Sequence, residues 1–411
     1  MARVVITGMG VISPLGNSVD ALWDALKAGK CGIDVISKFD ASQNKVKVAA
    51  EVKEFTPSDY GIDKSAARRL DLYSQYAMAA AKQAFEQSGL VSGENIEAER
   101  LGVYVGSGIG GLITFAQQTE VFLSRGIERI SPFFAPMMLS NMATGNISIA
   151  YKAEGATLPV VTACATSANA IGEAFHAIKH GYADAVCAGG SEAPIHPIAI
   201  GAFSALHALS CQENPALASL PFDKRRGGFV LGEGAAIVML EEYEHAKARN
   251  ANIICEVVGY GNTADAYHVT APDPEAKGAA RAVSQALSEG GYNGTEALYI
   301  NAHGTGTQLN DTAETKAVKL ALKEKAYDAS ISSTKSMTGH MMGAAGAIEC
   351  LISALAIRDG LIPPTIGLNE PDDECDLDYT PLTAKERAID AALSISLGFG
   401  GHNACLMLRR V

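Results

Sequence analysis

The sequence predicts an α/β architecture made of two copies of one unit, with sheets covered by helices on both faces. Apolar runs bounded by glycines alternate with longer Ala-rich stretches, the pattern of strands buried on both faces and separated by helices. Four short segments recur in the same order further along the chain, as duplication of one αβ unit requires. With 411 residues, 48% of them hydrophobic, the chain can bury two cores of ordinary size, and this composition excludes disorder as its main state.

Val4–Thr7, followed by a glycine turn, reads as the buried strand that begins the fold. Ser74–Gln87 carries apolar residues at spacings of three and four and reads as a helix. Gly102–Val105 and Val160–Thr162 read as strands, Ala168–Lys179 as a helix, Ala185–Ala188 and Ala235–Leu240 as strands, and Ala276–Leu287 as a helix. Pro272-Asp273-Pro274 and Pro363-Pro364 are short breaks expected in loops. The recurrences are Thr7-Gly8-Met9-Gly10 with Val258-Gly259-Tyr260-Gly261, and Gly108-Ile109-Gly110 with Gly304-Thr305-Gly306. Ala168-Asn169-Ala170-Ile171 matches Ala345-Gly346-Ala347-Ile348, and Gly232 to Leu240 matches Gly400 to Leu408. Glycine pairs match by chance, so the shared order carries the inference: two halves, 1–250 and 251–411.

Composition narrows the function classes. Lys and Arg number 33 against 45 Asp and Glu, a net charge of −12, so the molecule as a whole repels nucleic acid and anionic lipid. The apolar runs Ala235–Leu240 and Cys350–Ile357 are far shorter than the ~20 residues a membrane span needs. Met1–Gly8 has too short an apolar run for a signal peptide. The eight cysteines are scattered, without CxxC spacing, which points to reduced thiols in a cytoplasm and away from a zinc site.

Cys164 lies where a β-branched run ends and small residues open a helix, in Val160-Val161-Thr162-Ala163-Cys164-Ala165-Thr166-Ser167-Ala168. A thiol there faces the positive end of the helix dipole and unpaired N–H groups, which favours the reactive thiolate. A buried structural cysteine is the alternative. His303, in Asn301-Ala302-His303-Gly304-Thr305-Gly306-Thr307, stands at a strand end before a glycine-rich loop, where open α/β sheets place ligand-binding groups. That loop lacks the lysine of a phosphate-binding loop; its threonines suit an amide-rich or polar ligand. His340, in Thr334-Lys335-Ser336-Met337-Thr338-Gly339-His340, belongs to the internal counterpart of the Cys164 turn, shifted by one residue. A pseudo-twofold would bring it near Cys164, with Lys335 holding it or tuning its charge; a surface loop with an incidental His and Lys is the other reading. His176, His180 and His245 fall on polar helix faces and are expected to be solvated, while His402 could border a site. Leu397-Gly398-Phe399-Gly400-Gly401 is either a plain tight turn or a ligand loop whose phenylalanine gates access.

Thr-Ala-Cys-Ala-Thr-Ser around Cys164, Asn-Ala-His-Gly-Thr-Gly-Thr around His303 and Thr-Lys-Ser-Met-Thr-Gly-His before Gly343-Ala344-Ala345-Gly346 occur in this order. With these motifs the chain resembles the elongating β-ketoacyl-[acyl-carrier-protein] synthases over nearly its whole length. The resemblance implies a thiolase-like layered αβαβα fold of two duplicated halves, normally paired as a homodimer. It implies Cys164 as nucleophile, His303 and His340 as donors to an enolate, and N–H groups of Cys164 and Phe399 as an oxyanion hole; Lys335 is placed in the catalytic set with them. Thiolases instead use a second cysteine, initiating synthases carry asparagine at the position of His340, and inactive chain-length partners replace the nucleophile.

By the same resemblance Thr305, Thr307 and Thr270 would bind pantetheine amides. Ile109, Phe133 and Phe203 would line an acyl tunnel gated by Phe399. No metal or redox cofactor is required, since the substrates ride on the phosphopantetheine of acyl carrier protein. A monovalent cation is bound by some relatives at positions matching Asn301, Glu349 and Ser394, though Ile395 departs from the asparagine common there. An acidic carrier would dock on Lys64, Arg68 and Arg69 and on Arg125 and Arg129, where spacings of four suggest shared helix faces; a solvated charge cluster is the alternative. A polyketide ketosynthase or a non-catalytic chain-length partner are the competing functions.

Overall fold

The computed structural model describes residues 1–411. Its main element is a mixed sheet of nine strands: β1 (Val4–Ile12), β2 (Leu101–Gly106), β3 (Ala185–Glu192), β4 (Gly234–Glu242), β5 (Cys255–Ala264), β6 (Leu298–Asn301), β7 (Ser330–Ser332), β8 (Ala391–Gly398) and β9 (His402–Arg409). The spatial order is β2-β3-β4-β1-β5-β9-β8-β6-β7. The two sides mirror one another about the β1/β5 pair, which is joined only at Val4–Ile6 against Val257–Cys255. The predicted strand Val160–Thr162 is not one. Leu158 N donates to Val103 O at 3.0 Å and Thr157 bridges to Val103, and beyond that point the segment makes no backbone hydrogen bond to β2. It occupies the mirror position of β7.

Six helices build the layers: α1 (Leu72–Ser88), α2 (Leu112–Arg125), α3 (Thr166–Lys179), α4 (Lys277–Glu289), α5 (Gln308–Leu322) and α6 (Ala345–Asp359). α3 and α6 pack together between the two half-sheets, and their apolar side chains merge with both in one core of 45 residues. Every residue of α6 from Ala345 to Ile357 is buried, as expected of a helix apolar on all sides. α1 covers the outer face of the first half-sheet, and α4 and α5 cover that of the second. The arrangement is the layered αβαβα fold.

The glycine recurrences have a packing cause. A Cβ at Gly8 or Gly10 of β1 would lie 2.2 or 1.9 Å from the carbonyl oxygens of Ala84 and Ala80 in α1. At Gly259 or Gly261 of β5 it would lie 2.1 or 1.8 Å from those of Ala286 and Ala282 in α4. Each half therefore seats an Ala-rich helix directly on the backbone of its first strand. Asp71 caps α1 by accepting from Tyr73 N, and Gly89 ends it in the left-handed region.

Each middle helix follows a 3-10 turn, Ala163–Ala165 before α3 and Met342–Ala344 before α6. The first residue of each turn has positive φ, 51° at Ala163 and 47° at Met342. The helix starts pair Thr166 with Ala345, so Cys164 corresponds to Gly343. The sequence match of Ala168 with Ala345 is two residues out of register. Small residues repeat along both helices, so sequence matching cannot choose among them.

Candidate active site

Cys164 is buried at the turn before α3, in an apolar cluster with Met342, Phe229 and Leu231. Desolvation governs its chemistry. Burial pushes the thiol up to about 11, against the opposing pull of the Lys335 ammonium and of a hydrogen bond from Phe399 N–H. The expectation of a resting thiolate is therefore corrected: helix-end groups do not offset the loss of water, and the resting group is the thiol. Iodoacetamide alkylation of Cys164, followed by intact mass, should accelerate about tenfold per pH unit between pH 7 and 9. A plateau below pH 8 would reveal a resting thiolate.

The sulfur and the ligand nitrogens of His303 and His340 all lie within 4.8 Å of one another. His303 follows β6 on a loop whose backbone is held by Glu314, which accepts from His303 N at 2.6 Å and Gly304 N at 2.7 Å. His340 is pinned through its backbone: its N–H donates to Val230 O at 2.7 Å and its carbonyl accepts from Gly232 N at 2.8 Å. The two rings stand 5.3 Å apart and nearly perpendicular, at 87°, and Phe229 sets its edge against His340 at 5.1 Å.

Hydrogen bonding assigns the tautomers. Lys335 Nζ lies 3.3 Å from His303 Nδ1; an ammonium can only donate, so that nitrogen accepts and Nε2 carries the proton. His340 Nδ1 is buried without a partner. An orphaned acceptor there costs less than an orphaned N–H, so Nε2 again carries the proton. Burial and the nearby Lys335 charge hold both imidazoles well below their usual range, so they stay neutral at physiological pH. The site thus offers two neutral N–H donors beside one thiol.

Lys335 is fully buried and paired with Glu349 of α6. Its partner ring is His303, not His340 as the shorter sequence separation suggested; the turn Lys335–Thr338 directs the long side chain back toward the β6 loop. A cysteine with two histidines is also a donor set for a soft metal ion, but the ammonium against His303 opposes a bound cation.

These groups open into a cavity of about 360 Å³ whose lining includes Phe203, Thr270, Thr305, Thr307 and Phe399. Thr305 and Thr307 hydroxyls lie 3.0 Å apart. The Phe399 loop is tied to the 265–269 segment by Gly400 N to Val269 O at 2.7 Å and Asp265 N to Gly401 O at 2.9 Å. Ile109 and Phe133 do not line this cavity; they are 37% and 39% exposed. His402 also stands outside the lining, where its neighbours Gly401 and Asn403 take part. His176 and His245 are not free in solvent: they contact Glu289 at 2.9 Å and Glu241 at 2.7 Å.

Lys64, Arg68, Arg69, Arg125 and Arg129 are exposed. The shared-face expectation is corrected for both pairs. The first helix spans only Lys64–Ala67, with Arg68 as its cap, and Gly126 ends α2 before Arg129. Sequence reading also missed Glu314, Glu192 and Asp265. Each is an isolated acid in the chain and acquires meaning only from the donors the fold turns toward it: backbone N–H groups for Glu314, those and Ser107 for Glu192, and Asp273 N and the Asn403 amide for Asp265.

Comparison with known proteins agrees with this architecture. The model of the Beta-ketoacyl synthase N-terminal domain matches residues 1–246, and that of the Beta-ketoacyl synthase C-terminal domain matches 254–369. The chain is 50% identical over 410 residues to the 3-oxoacyl-[acyl-carrier-protein] synthase 2 of Coxiella burnetii (strain RSA 493 / Nine Mile phase I), covering 100% of this chain and 99% of that one. Among solved structures it resembles a beta-ketoacyl synthase from Burkholderia phymatum STM815, with TM-score 0.92, 34% identity and full coverage of both chains. It also resembles a type II PKS ketosynthase solved in complex with its acyl-carrier protein, with TM-score 0.90, 34% identity, and coverage of 100% of this chain and 99% of that one. The chain belongs to the beta-ketoacyl synthase family. No helix is long and apolar enough to cross a membrane.

Proposed function

We propose that the chain is a 3-oxoacyl-[acyl-carrier-protein] synthase that lengthens fatty acyl chains by two carbons. The observation that carries this reading is one buried thiol and two neutral imidazoles within 4.8 Å. Cys164 sulfur attacks the thioester carbonyl of an acyl-carrier and gives up its S–H proton. The carrier's pantetheine thiolate leaves and receives that proton, and an acyl-Cys164 thioester remains. Malonyl-carrier then enters. Its C–C bond to the carboxylate breaks, CO2 departs, and the electron pair enters an enolate held by the Nε2–H donors of His303 and His340. The carbanion attacks acyl-Cys164, the N–H groups of Cys164 and Phe399 hold the oxyanion, and Cys164 sulfur is expelled and reprotonated. The 3-oxoacyl chain stays on the carrier.

Thr270, Thr305 and Thr307 on the cavity wall suit the amides of the pantetheine arm, and Phe203 suits the acyl chain beneath a Phe399 gate. The identity of 50% to a 3-oxoacyl-carrier synthase, against 34% to the polyketide enzyme, supports the fatty-acid reading. The division into 1–250 and 251–411 assigns the nucleophile to one half and both imidazoles to the other. An acidic carrier protein suits the exposed Lys64, Arg68, Arg69, Arg125 and Arg129, with Arg69 already stacked at 4.9 Å on Phe133.

A homodimer suits the edge segment beside β2. Leu158 and Val161 are 41% and 52% exposed, next to unpaired backbone that a second copy would cover. Ile109 and Phe133 lie outside the cavity lining of the single chain, so their tunnel role rests on that second copy. Asn301 Nδ2, Glu349 Oε2 and Ser394 Oγ are buried without partners, and Asn301 pairs with Ser394 in strand register. With the Asn301 amide turned over, these unpartnered oxygens suit a monovalent cation. Eight unpaired cysteines support a reducing compartment, the cytoplasm.

The test is incubation with acyl-carriers of several lengths and with malonyl-carrier. The expected result is an acyl adduct on Cys164 by mass spectrometry, then CO2 and a 3-oxoacyl product. Carrier binding without an adduct would overturn the reading in favour of a non-catalytic partner.

A further inference from the structure

Glu192, the last residue of β3, is wholly buried and takes no part in the reaction described above. Its carboxylate accepts four hydrogen bonds. Oε1 accepts from Ser107 Oγ at 2.6 Å and Ile109 N at 3.1 Å, and Oε2 accepts from Gly108 N at 2.7 Å and Gly343 N at 2.9 Å. Three of the donors are backbone N–H groups on two loops, one from each half of the molecule. Both glycines are cleared for it: a Cβ on Gly108 or Gly343 would lie 2.8 or 2.6 Å from Glu192 Oε2.

Gly343 is the position that mirrors Cys164. The turn before α3 carries the thiol, while the turn before α6 carries a bare backbone whose N–H points at a carboxylate. A turn of this shape with converging N–H groups is an anion hole. In the first half the turn borders the substrate cavity; in the second, Gly343 N–H joins Gly108 and Ile109 N–H around a carboxylate from within the protein. The loops so tied both border the Cys164 turn: a Cβ on Gly108 would lie 3.6 Å from Ala163 O, and Met342 lines the cavity beside Cys164.

We propose that Glu192 is a positioning residue: its carboxylate accepts from the backbone of both halves and locks the loop of Gly108 and Ile109 to the Met342 turn beside Cys164. The proposal rests on the condensing reading of Cys164. The charge itself works against the nucleophile, since it favours the protonated thiol of Cys164. A purely electrostatic role therefore predicts that neutral E192Q acylates faster than the parent enzyme. A positioning role predicts the reverse, because the amide NH2 group would face N–H donors that need an acceptor.

The experiment measures the rate of acyl-Cys164 formation, by intact mass, for the parent, E192Q and E192A, with sodium formate or sodium chloride at matched ionic strength. The parent must form the adduct; if it does not, the condensing reading fails and Glu192 is not in question. With the parent active, E192Q and E192A are expected to acylate about ten- to a hundredfold more slowly, with the loss steepest for the longest acyl chains. Formate, whose carboxylate fits the vacated hole, should restore E192A several-fold and raise its melting temperature, while leaving E192Q unmoved. Parental rates in both variants, faster acylation by E192Q, or rescue of E192A by chloride as well as by formate would each overturn the proposal. Should E192A fail to fold, the rate of E192Q decides alone.

Discussion

Cys164→Ala is expected to abolish condensation, by about 10⁴-fold or more, with no acyl adduct detectable by mass spectrometry. The size follows from the reaction's division into two steps: without the sulfur there is no acyl-enzyme for the enolate to attack, and no nearby group can substitute. No other cysteine lines the cavity; burial pushes Cys350 up to about 12, and Cys187 and Cys405 higher still. The imidazoles are untouched by this substitution. CO2 release from malonyl-carrier should therefore persist in C164A while product formation disappears. Labelled malonyl-carrier separates the two, and full condensation by C164A would reject Cys164 as nucleophile. Cys164→Ser should lie close to C164A, because a buried hydroxyl is far harder to deprotonate than a thiol.

The sequence motifs named the three chemical groups, and their convergence could be argued from duplication alone. Strands and helices with strong apolar periodicity were legible to within a few residues, as Ser74–Gln87 against Leu72–Ser88 illustrates. What sequence could not supply was desolvation. Cys164 was read from its place at a helix end, whereas its protonation is set by how completely the halves close over it. Lys335 was assigned to the nearer histidine in sequence, but the direction of a four-carbon side chain depends on the turn that carries it. Val160–Thr162 has strand composition yet makes no ladder with β2 beyond the Thr157–Val103 bridge. Glu192 and Glu314 are bound mainly by backbone N–H groups, which carry no signature in residue type.

The Lys335–Glu349 pair offers the other large effect, and it separates stability from catalysis. Lys335→Ala leaves the Glu349 carboxylate buried and uncompensated, which costs about 3–5 kcal/mol of folding stability by denaturant titration. Glu349 is already pushed up to about 7 by burial, with Lys335 restraining it; without the ammonium it rises further. A carboxyl whose folded value exceeds its unfolded one binds more protons when folded, so stability falls as pH rises through that interval. The deficit of K335A should therefore be smaller at pH 5 than at pH 8. The double variant K335M/E349Q removes both charges at similar volume and should recover most of the lost stability, since burying a neutral pair avoids the uncompensated ion. Its activity should not recover. His303 Nδ1 would still lack the donor that assigns its tautomer, so the Nε2–H offered to the enolate would no longer be fixed, and malonyl-carrier decarboxylation should remain about 10²-fold below the parent. Recovery of both stability and decarboxylation in K335M/E349Q would show that the ammonium serves packing alone and that His303 is oriented by its Glu314-bound backbone.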